Sequence, residues 1–415
     1  MGRSFSSKKK IPGSTASVFI VFLFCLTACG PVEENHSPEL DRIMVDALAG
    51  QGIAGAVLLV ARGGDTLHYR AYGHAERYSY DGAGLASPVP MQTGHVFDLA
   101  SLTKVYATTF ALMLLADSGL IRPDDPVTDY LPDYPDDKNG ILIRHLLNHT
   151  SGLLPWQPVF LFDRNNDPAS ARAWIAASPL QSTPGEERAY SDLGFMTLGY
   201  VVEEVSGQPL DRFLADELYG RLGLNHTGFN PLSAGITPLV STSHGNPFEI
   251  RMIDDDDFGY FVDGSSAQMN TWREYVLKGE VSDGNAWYAH RGVAGHAGLF
   301  STAGDLLKLS RLLLGEDAPE GRPLIGSSTL RTFLEKDAYG NALGWLKAEG
   351  TGDEKAIAHS GFTGTSAVLL PARQTVVILL TNRQHGHPDG DYPNMSVLRQ
   401  SVLETVLQLT GTSAR

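Results

Sequence analysis

Strand-like segments stand at both ends of this 415-residue chain, with a long helical stretch between them. This arrangement suggests one α/β domain with a mostly helical insertion. Near the N-terminal end, GAVLLVA and TLHYRAY (Gly55 to Tyr72) flank Gly63-Gly64-Asp65, the pattern of a hairpin. Strands are predicted at 342–348, 356–359, 366–370 and 375–381, the last two joined by a turn over Pro371 to Gln374. Helical patterns cover Ser101 to Ser118, ended by Gly119, then 141–148, 169–177, 192–205, 210–219, 302–314 and 396–409. Residues 240–285, rich in Asp, Gly and Ser with scattered aromatics, read as a long loop region over a site. The expected fold class is α/β (α+β): one domain over 41–415, its α/β part about 41–105 and 290–415, with a helical and loop insertion about 106–289. At 42 % hydrophobic, the chain can bury a core of that size.

The first thirty residues read as an export signal. Arg3, Lys8, Lys9 and Lys10 precede an apolar run from Val18 to Phe24 that is too short to span a bilayer. Leu26-Thr27-Ala28-Cys29, followed by Gly30, resembles the bacterial lipobox, which implies lipidation at Cys29 after removal of residues 1–28. An ordinary secretory signal cleaved nearby is the alternative. Pro31, Glu33, Glu34, Pro38 and Glu39 predict a solvated tether over 29–40. The expected location is the cell envelope, lipid-anchored at the periplasmic face of the outer membrane. Cys25 and Cys29 are the only cysteines, so a lipidated Cys29 leaves no thiol nucleophile and no disulfide. A net charge of −15 disfavours nucleic acid as a partner.

Chemistry concentrates in three short motifs. Ser101-Leu102-Thr103-Lys104 fits S-x-x-K, as do Ser6 with Lys9 and Ser7 with Lys10. Only Ser101 opens a helix that is apolar enough to be buried, which places Ser and Lys on one face at i, i+3. Alone, the motif is matched equally well by a serine that merely caps the helix. Tyr190-Ser191-Asp192 precedes a second helix, and His359-Ser360-Gly361 ends a predicted strand. S-x-x-K, then Y-x-N, then K-T-G or H-x-G is the motif order of the serine β-lactamase and penicillin-binding-protein superfamily. HLLNHTSGL (145–153), YSDLGFMTLGYVVEEVSGQPLDRF (190–213) and GVAGHAGLFSTAGDL (292–306) resemble blocks of its class C branch. The resemblance runs from about residue 41 to the end. It implies a mostly antiparallel sheet flanked by helices, a helical insertion, an active site at their junction, and no metal or organic cofactor.

The residues themselves define a mechanism to test. Ser101 supplies the nucleophilic Oγ, and Lys104 and Tyr190 are the candidate proton acceptors. Their ordinary pKa values of about 10.4 and about 10 must fall by ~3 units to serve at neutrality. Burial would do this for Lys104, and burial with a neighbouring cation for Tyr190. The backbone N–H groups of Ser101 and, by motif position, Phe362 would form the oxyanion hole, with Ser360 and Gly361 binding substrate. Two positions depart from the motif. Asp192 stands where many relatives have Asn, and His359 where others have Lys. Both make the site more negative and weaken capture of a substrate carboxylate. Arg383 is a candidate replacement clamp or else a solvated strand-end arginine. Asp192 would also keep Lys104 charged, leaving Tyr190, aided by His359, as the base.

Other candidates have plainer readings. His145 and His149 lie at i, i+4 on a predicted helix but lack the Glu of H-E-x-x-H, so they are read as structural. His296 supports a glycine-rich loop below the site, and the run Asp254 to Asp257 is a solvated loop. Asp283, with Trp287 and Tyr288, is a candidate cleft wall, and His385 and His387 are placed on a surface loop, with a place at the pocket rim as the alternative. No G-x-S-x-G elbow occurs. The resemblance implies a D-alanyl-D-alanine carboxypeptidase-like enzyme acting on peptidoglycan peptides. An esterase on small acyl esters and a β-lactamase are alternatives, and a non-catalytic cell-wall binding module is the alternative of another class.

Overall fold

The computed structural model describes residues 36–162, 167–315, 323–353 and 355–411. The leader, Cys29 and the tether up to residue 35 lie outside the described residues. Within them the tether is shorter than expected. Ser37 caps helix α1 (Pro38–Gln51), its Oγ facing the Leu40 N–H at 3.4 Å, and Pro38 takes the first helical position, where no amide donor is needed.

The two ends do share a sheet. Its strands are β1 (Gly55–Arg62), β2 (Asp65–Tyr78), β3 (Gly84–Pro90), β4 (Leu346–Lys347), β5 (Ile357–Ser360), β6 (Ser366–Leu370) and β7 (Thr375–Thr381), in the antiparallel order β3-β2-β1-β7-β6-β5-β4. β1 pairs with β7 from Ala56–Thr381 to Arg62–Thr375. Alternation sorts these central strands between two cores. Leu58, Val60, Val377 and Leu379 pack on α1 and the C-terminal helix α6 (Ser396–Leu409), with Leu40, Met44, Leu398 and Val402. Val57, Leu59, Ile378 and Leu380 face the larger core shared with the helical region.

Three predictions need correction. Most of 342–348 is not a strand: Ala342 and Trp345 form a tight bridge, and Gly344 sits at φ +80°, where a Cβ would lie 2.2 Å from Thr109 Oγ1. Residues 240–285 are not all loop. Ser241–His244 pairs with Val276–Lys278, and helix α4 (Pro247–Asp254) lies between them. β3 was not anticipated, because GLASPVP lacks regular alternation and carries two prolines.

The helix that follows Ser101 is buried on every side from Leu102 to Met113. It opens with a π-helical turn over Lys104–Thr108 before α2 (Thr109–Asp117), and Gly119 at φ +71° ends it. Helix α3 (Asp192–Ser206) crosses beside it, capped by Ser191, whose Oγ accepts from the Gly194 N–H at 3.1 Å. A small sheet joins Phe97–Asp98 and Gly228–Phe229 to the two sides of Leu299–Ser301, which ties the approach to Ser101 to residues 200 positions later. No helix among the described residues is long and apolar enough to cross a membrane.

Candidate active site

Ser101 follows a residue in an unusual conformation. Ala100 sits at φ +46°, which costs a non-glycine residue on the order of 1 kcal/mol and must be imposed by its surroundings. Asp98 imposes it. One carboxylate oxygen accepts the Ala100 N–H at 2.9 Å and the other accepts the Ser282 N–H at 2.7 Å. Burial pushes the Asp98 carboxyl above the usual range, against the pull of these two amides. From the sheet side, Thr363 Oγ1 donates to the Asp98 carbonyl at 2.8 Å and Thr365 Oγ1 to the Leu99 carbonyl at 3.0 Å.

Lys104 is completely buried one helical turn on. Its ammonium forms an ion pair with Asp192 Oδ1 at 2.6 Å and donates to Ser101 Oγ at 3.1 Å and the His296 carbonyl at 3.2 Å. Burial works against the charge, but Asp192 and Tyr190 outweigh it and hold Lys104 above its ordinary range. The expectation that burial lowers Lys104 toward neutrality is therefore corrected. Asp192 is itself placed for this contact, at the first position of α3 where the helix dipole favours a carboxylate.

Tyr190 closes the group. Lys104 Nζ lies 5.0 Å from its ring centroid, and Lys104 and Ser101 both favour the ionised phenol. Burial raises the phenol above its ordinary value, with Lys104 pulling the other way. The expectation for Tyr190 had the sign of burial wrong, since the form that burial disfavours is the charged phenolate. Below the ring lies His149, centroids 4.3 Å apart. His149 is not on a helix with His145: the helix spans Ile143–Leu147, and His149 stands beyond it at φ +60°. Its Nδ1 accepts the Ser191 N–H at 3.0 Å, which leaves the proton on Nε2, and burial keeps the ring neutral.

His359 also reaches this group, 6.1 Å from Tyr190 between ring centroids. Its Nδ1 donates to the Ser360 carbonyl at 3.1 Å, and burial beside Lys104 lowers its pKa to about 3. It is neutral and does not stand in for a cation. Gly361 packs so closely that a Cβ would come within 2.4 Å of the Leu99 carbonyl oxygen. Arg383 is not a clamp. Its Nε donates to the Phe362 carbonyl at 2.8 Å and Nη1 to the Pro393 carbonyl at 2.7 Å, with the guanidinium stacked on Phe362 and Tyr392.

Ser101, Tyr190, Asp192 and Phe362 border a cavity of about 400 Å³. Its apolar walls are Trp156, Phe248, Phe258, Tyr260 and Tyr392, and its other carboxyls are Glu249 and Asp283. Burial, reinforced by Asp283, raises Glu249 to about 8, so it holds its proton at neutrality. No Lys, Arg or His side chain lines the cavity among the described residues. Arg399 lies nearby but donates to the Thr365 and Gly361 carbonyls. Trp287 and Tyr288 stack on the buried Arg273 and are not part of the wall. His385 is buried, not on a surface loop, and accepts the Arg77 N–H at 2.8 Å, while His387 bonds the Gln51 carbonyl at 3.1 Å. Asp254 is exposed and holds the Ser265–Ser266 turn.

The family described as Beta-lactamase matches residues 40–401. The chain belongs to the beta-lactamase family. Among its relatives is a putative D-alanyl-D-alanine carboxypeptidase of Escherichia coli K12, 34 % identical over 88 % of this chain and 89 % of that one. An N-acetylmuramyl-L-alanine amidase of Bacillus subtilis is 33 % identical over 82 % of this chain and 80 % of that one. A class C beta lactamase from Rhodobacter sphaeroides has the same fold, with a TM-score of 0.63 at 18 % identity over 90 % of this chain and all of the other. As a member of the beta-lactamase family, this protein is a serine hydrolase.

Two features of the site escaped sequence reading. Asp98 acquires its role only through the Ser282 amide, and Glu249 only when α4 folds over the cavity. Neither carries a local sequence signal.

Proposed function

We propose that the protein hydrolyses peptide-type acyl bonds of peptidoglycan through an acyl-enzyme on Ser101, in the manner of a D-alanyl-D-alanine carboxypeptidase. One observation carries this reading: a buried lysine, paired with Asp192, contacts Ser101 Oγ at 3.1 Å at the edge of a cavity. Because Ser101 Oγ accepts from Lys104, its own proton points elsewhere, and Tyr190, whose ring centroid is 5.0 Å from the same Nζ, is assigned as the acceptor. Tyr190 takes that proton as Oγ attacks the carbonyl and returns it to the leaving amine. Water then repeats the sequence on the ester. The Ser101 and Phe362 amides, both at the cavity, receive the oxyanion.

The raised Tyr190 gives this mechanism a pH signature. Only the phenolate accepts a proton, and its population grows with pH, so turnover should climb across the neutral range and continue into the alkaline. Tyr190→Phe should remove that rise. A profile that is flat above pH 7 in the wild type would rule Tyr190 out as the acceptor.

A second substrate reading has its own support. With no cation on the cavity wall among the described residues, none of them there pairs with a terminal carboxylate, whereas an amide between a muramyl group and L-alanine has none beside the scissile bond. Intact-protein mass spectrometry after benzylpenicillin, followed by product analysis on purified muropeptides, tests both readings. Penicilloyl adduct and release of D-alanine support the carboxypeptidase. Release of whole peptides from the sugar supports the amidase, and neither product would overturn the peptidoglycan reading.

The N-terminal segment supports export and lipid attachment at Cys29 in the cell envelope. Metabolic labelling with a fatty acid should mark the wild type and not Cys29→Ala. Equal labelling of both, or of neither, would refute attachment at that residue.

A further inference from the structure

The third acceptor of Lys104 is a main-chain carbonyl from the segment Gly295 to Gly298, remote in sequence from the nucleophile helix. Side chains reach their rotamers largely independently, but a carbonyl points where its peptide plane is fixed. The segment around it is fixed from several sides. The Gly295 carbonyl accepts from Thr108 Oγ1 at 2.6 Å, and the Leu299 N–H donates to Thr103 Oγ1 at 3.1 Å. Gly295 lies so close to α3 that a Cβ would be 2.0 Å from the Phe195 carbonyl oxygen. The residue between these ties is His296, only 1 % exposed, and its Nε2 meets Asp283 Oδ1 at 2.9 Å.

Asp283 is held in turn. The Ala286 N–H donates to the same oxygen at 2.8 Å, and the preceding residue, Ser282, gives its N–H to Asp98. Burial pushes the Asp283 carboxyl up, but His296, the Ala286 amide and Lys104 together bring it down to about 2, so it is ionised. One continuous path therefore joins the Ala100 amide, Asp98, Ser282, Asp283, His296 and Lys104. It begins and ends on the two residues that flank the nucleophile in space. We propose that His296, oriented by Asp283, is a positioning residue for Lys104: the imidazole–carboxylate contact aims the His296 carbonyl at the ammonium.

The inference rests on Ser101 being the reacting group, and it makes a prediction that a space-filling histidine does not. Gln places an amide nitrogen near the position of imidazole Nε2, the atom that meets Asp283, whereas Asn places one near Nδ1, which has no partner here. The full-length protein and His296→Gln, His296→Asn and Asp283→Asn variants would be reacted with an alkyl fluorophosphonate. This probe needs only an activated serine and no peptidoglycan recognition. Progress would be followed by intact mass, with the probe's apparent KI and maximal rate determined separately. His296→Asn should lower the maximal rate roughly 10- to 100-fold with KI little changed, as expected when a reacting group is misplaced by about an ångström. His296→Gln should recover most of the rate, and Asp283→Asn should fall between them. Circular dichroism of each variant identifies loss of fold, and the Gln variant, the milder change, keeps the comparison decisive if Asn does not fold. Equal rates in Gln and Asn variants, or a change confined to KI, would overturn the proposal. A wild type that labels nowhere near Ser101 would instead overturn the nucleophile assignment.

Discussion

Ser101→Ala is expected to fold like the wild type and to lose roughly 10⁴-fold or more in turnover, with no penicilloyl adduct by mass. The size follows from the way the site divides its labour. Lys104, Asp192 and the His296 carbonyl satisfy one another, so removing one hydroxyl leaves Lys104 with two strong acceptors and the fold intact. Chemistry then has no covalent route, and what remains is binding in the cavity and polarisation by the oxyanion donors. A modest loss, of the order of tenfold, would mean that Ser101 caps a helix and that water attacks directly. The adduct distinguishes these cases independently of substrate, because acylation by the drug needs the serine oxygen itself.

Gly361→Ala should have the second-largest effect, through geometry alone. A Cβ there would lie 2.4 Å from the Leu99 carbonyl oxygen and 2.2 Å from Thr365 Oγ1. The threonine can turn away, but the carbonyl belongs to the turn that sets Ala100 at φ +46° and presents Ser101. Relief must come from separating β5 from that turn. The expected stability loss is about 1–3 kcal/mol by overpacking. Turnover should fall more than this implies, by roughly 10²-fold, since the Phe362 amide moves with the strand. Thermal unfolding and steady-state rates on one preparation check both. A variant with normal turnover would show that the Phe362 amide is not an oxyanion donor.

The legible parts of this molecule are those encoded locally. The hairpin at Gly63, the capped helix α3 and the terminal helix each follow from a periodicity and a stop signal within a few residues. Ser101, Lys104, Tyr190 and Asp192 were visible through the order of three motifs along the chain and the resemblance it carries, not through local spacing alone, and they do converge. What the sequence hid depends on partners far along the chain. Asp98 reads as an ordinary acidic residue until Ser282 arrives beside it. Arg383 reads as a free cation until the Phe362 and Pro393 carbonyls claim it. The protonation of Tyr190 was misjudged for a related reason. Burial and a nearby charge oppose each other for a phenol, and only the assembled site shows which is larger.

The pairing of β1 with β7 has a consequence in time. Ala56 finds its partner only at Thr381, so the central ladder of the sheet cannot close until the chain has been made as far as that residue. Until then Leu58 and Val60 have neither β7 nor α6 to cover them. Contacts of such long sequence separation close slowly, and domains that depend on them fold late. The strands that bring Gly361 and Phe362 to Ser101 are therefore made long after the helix that carries Ser101, and the cavity is complete only once the two halves of the sheet have paired.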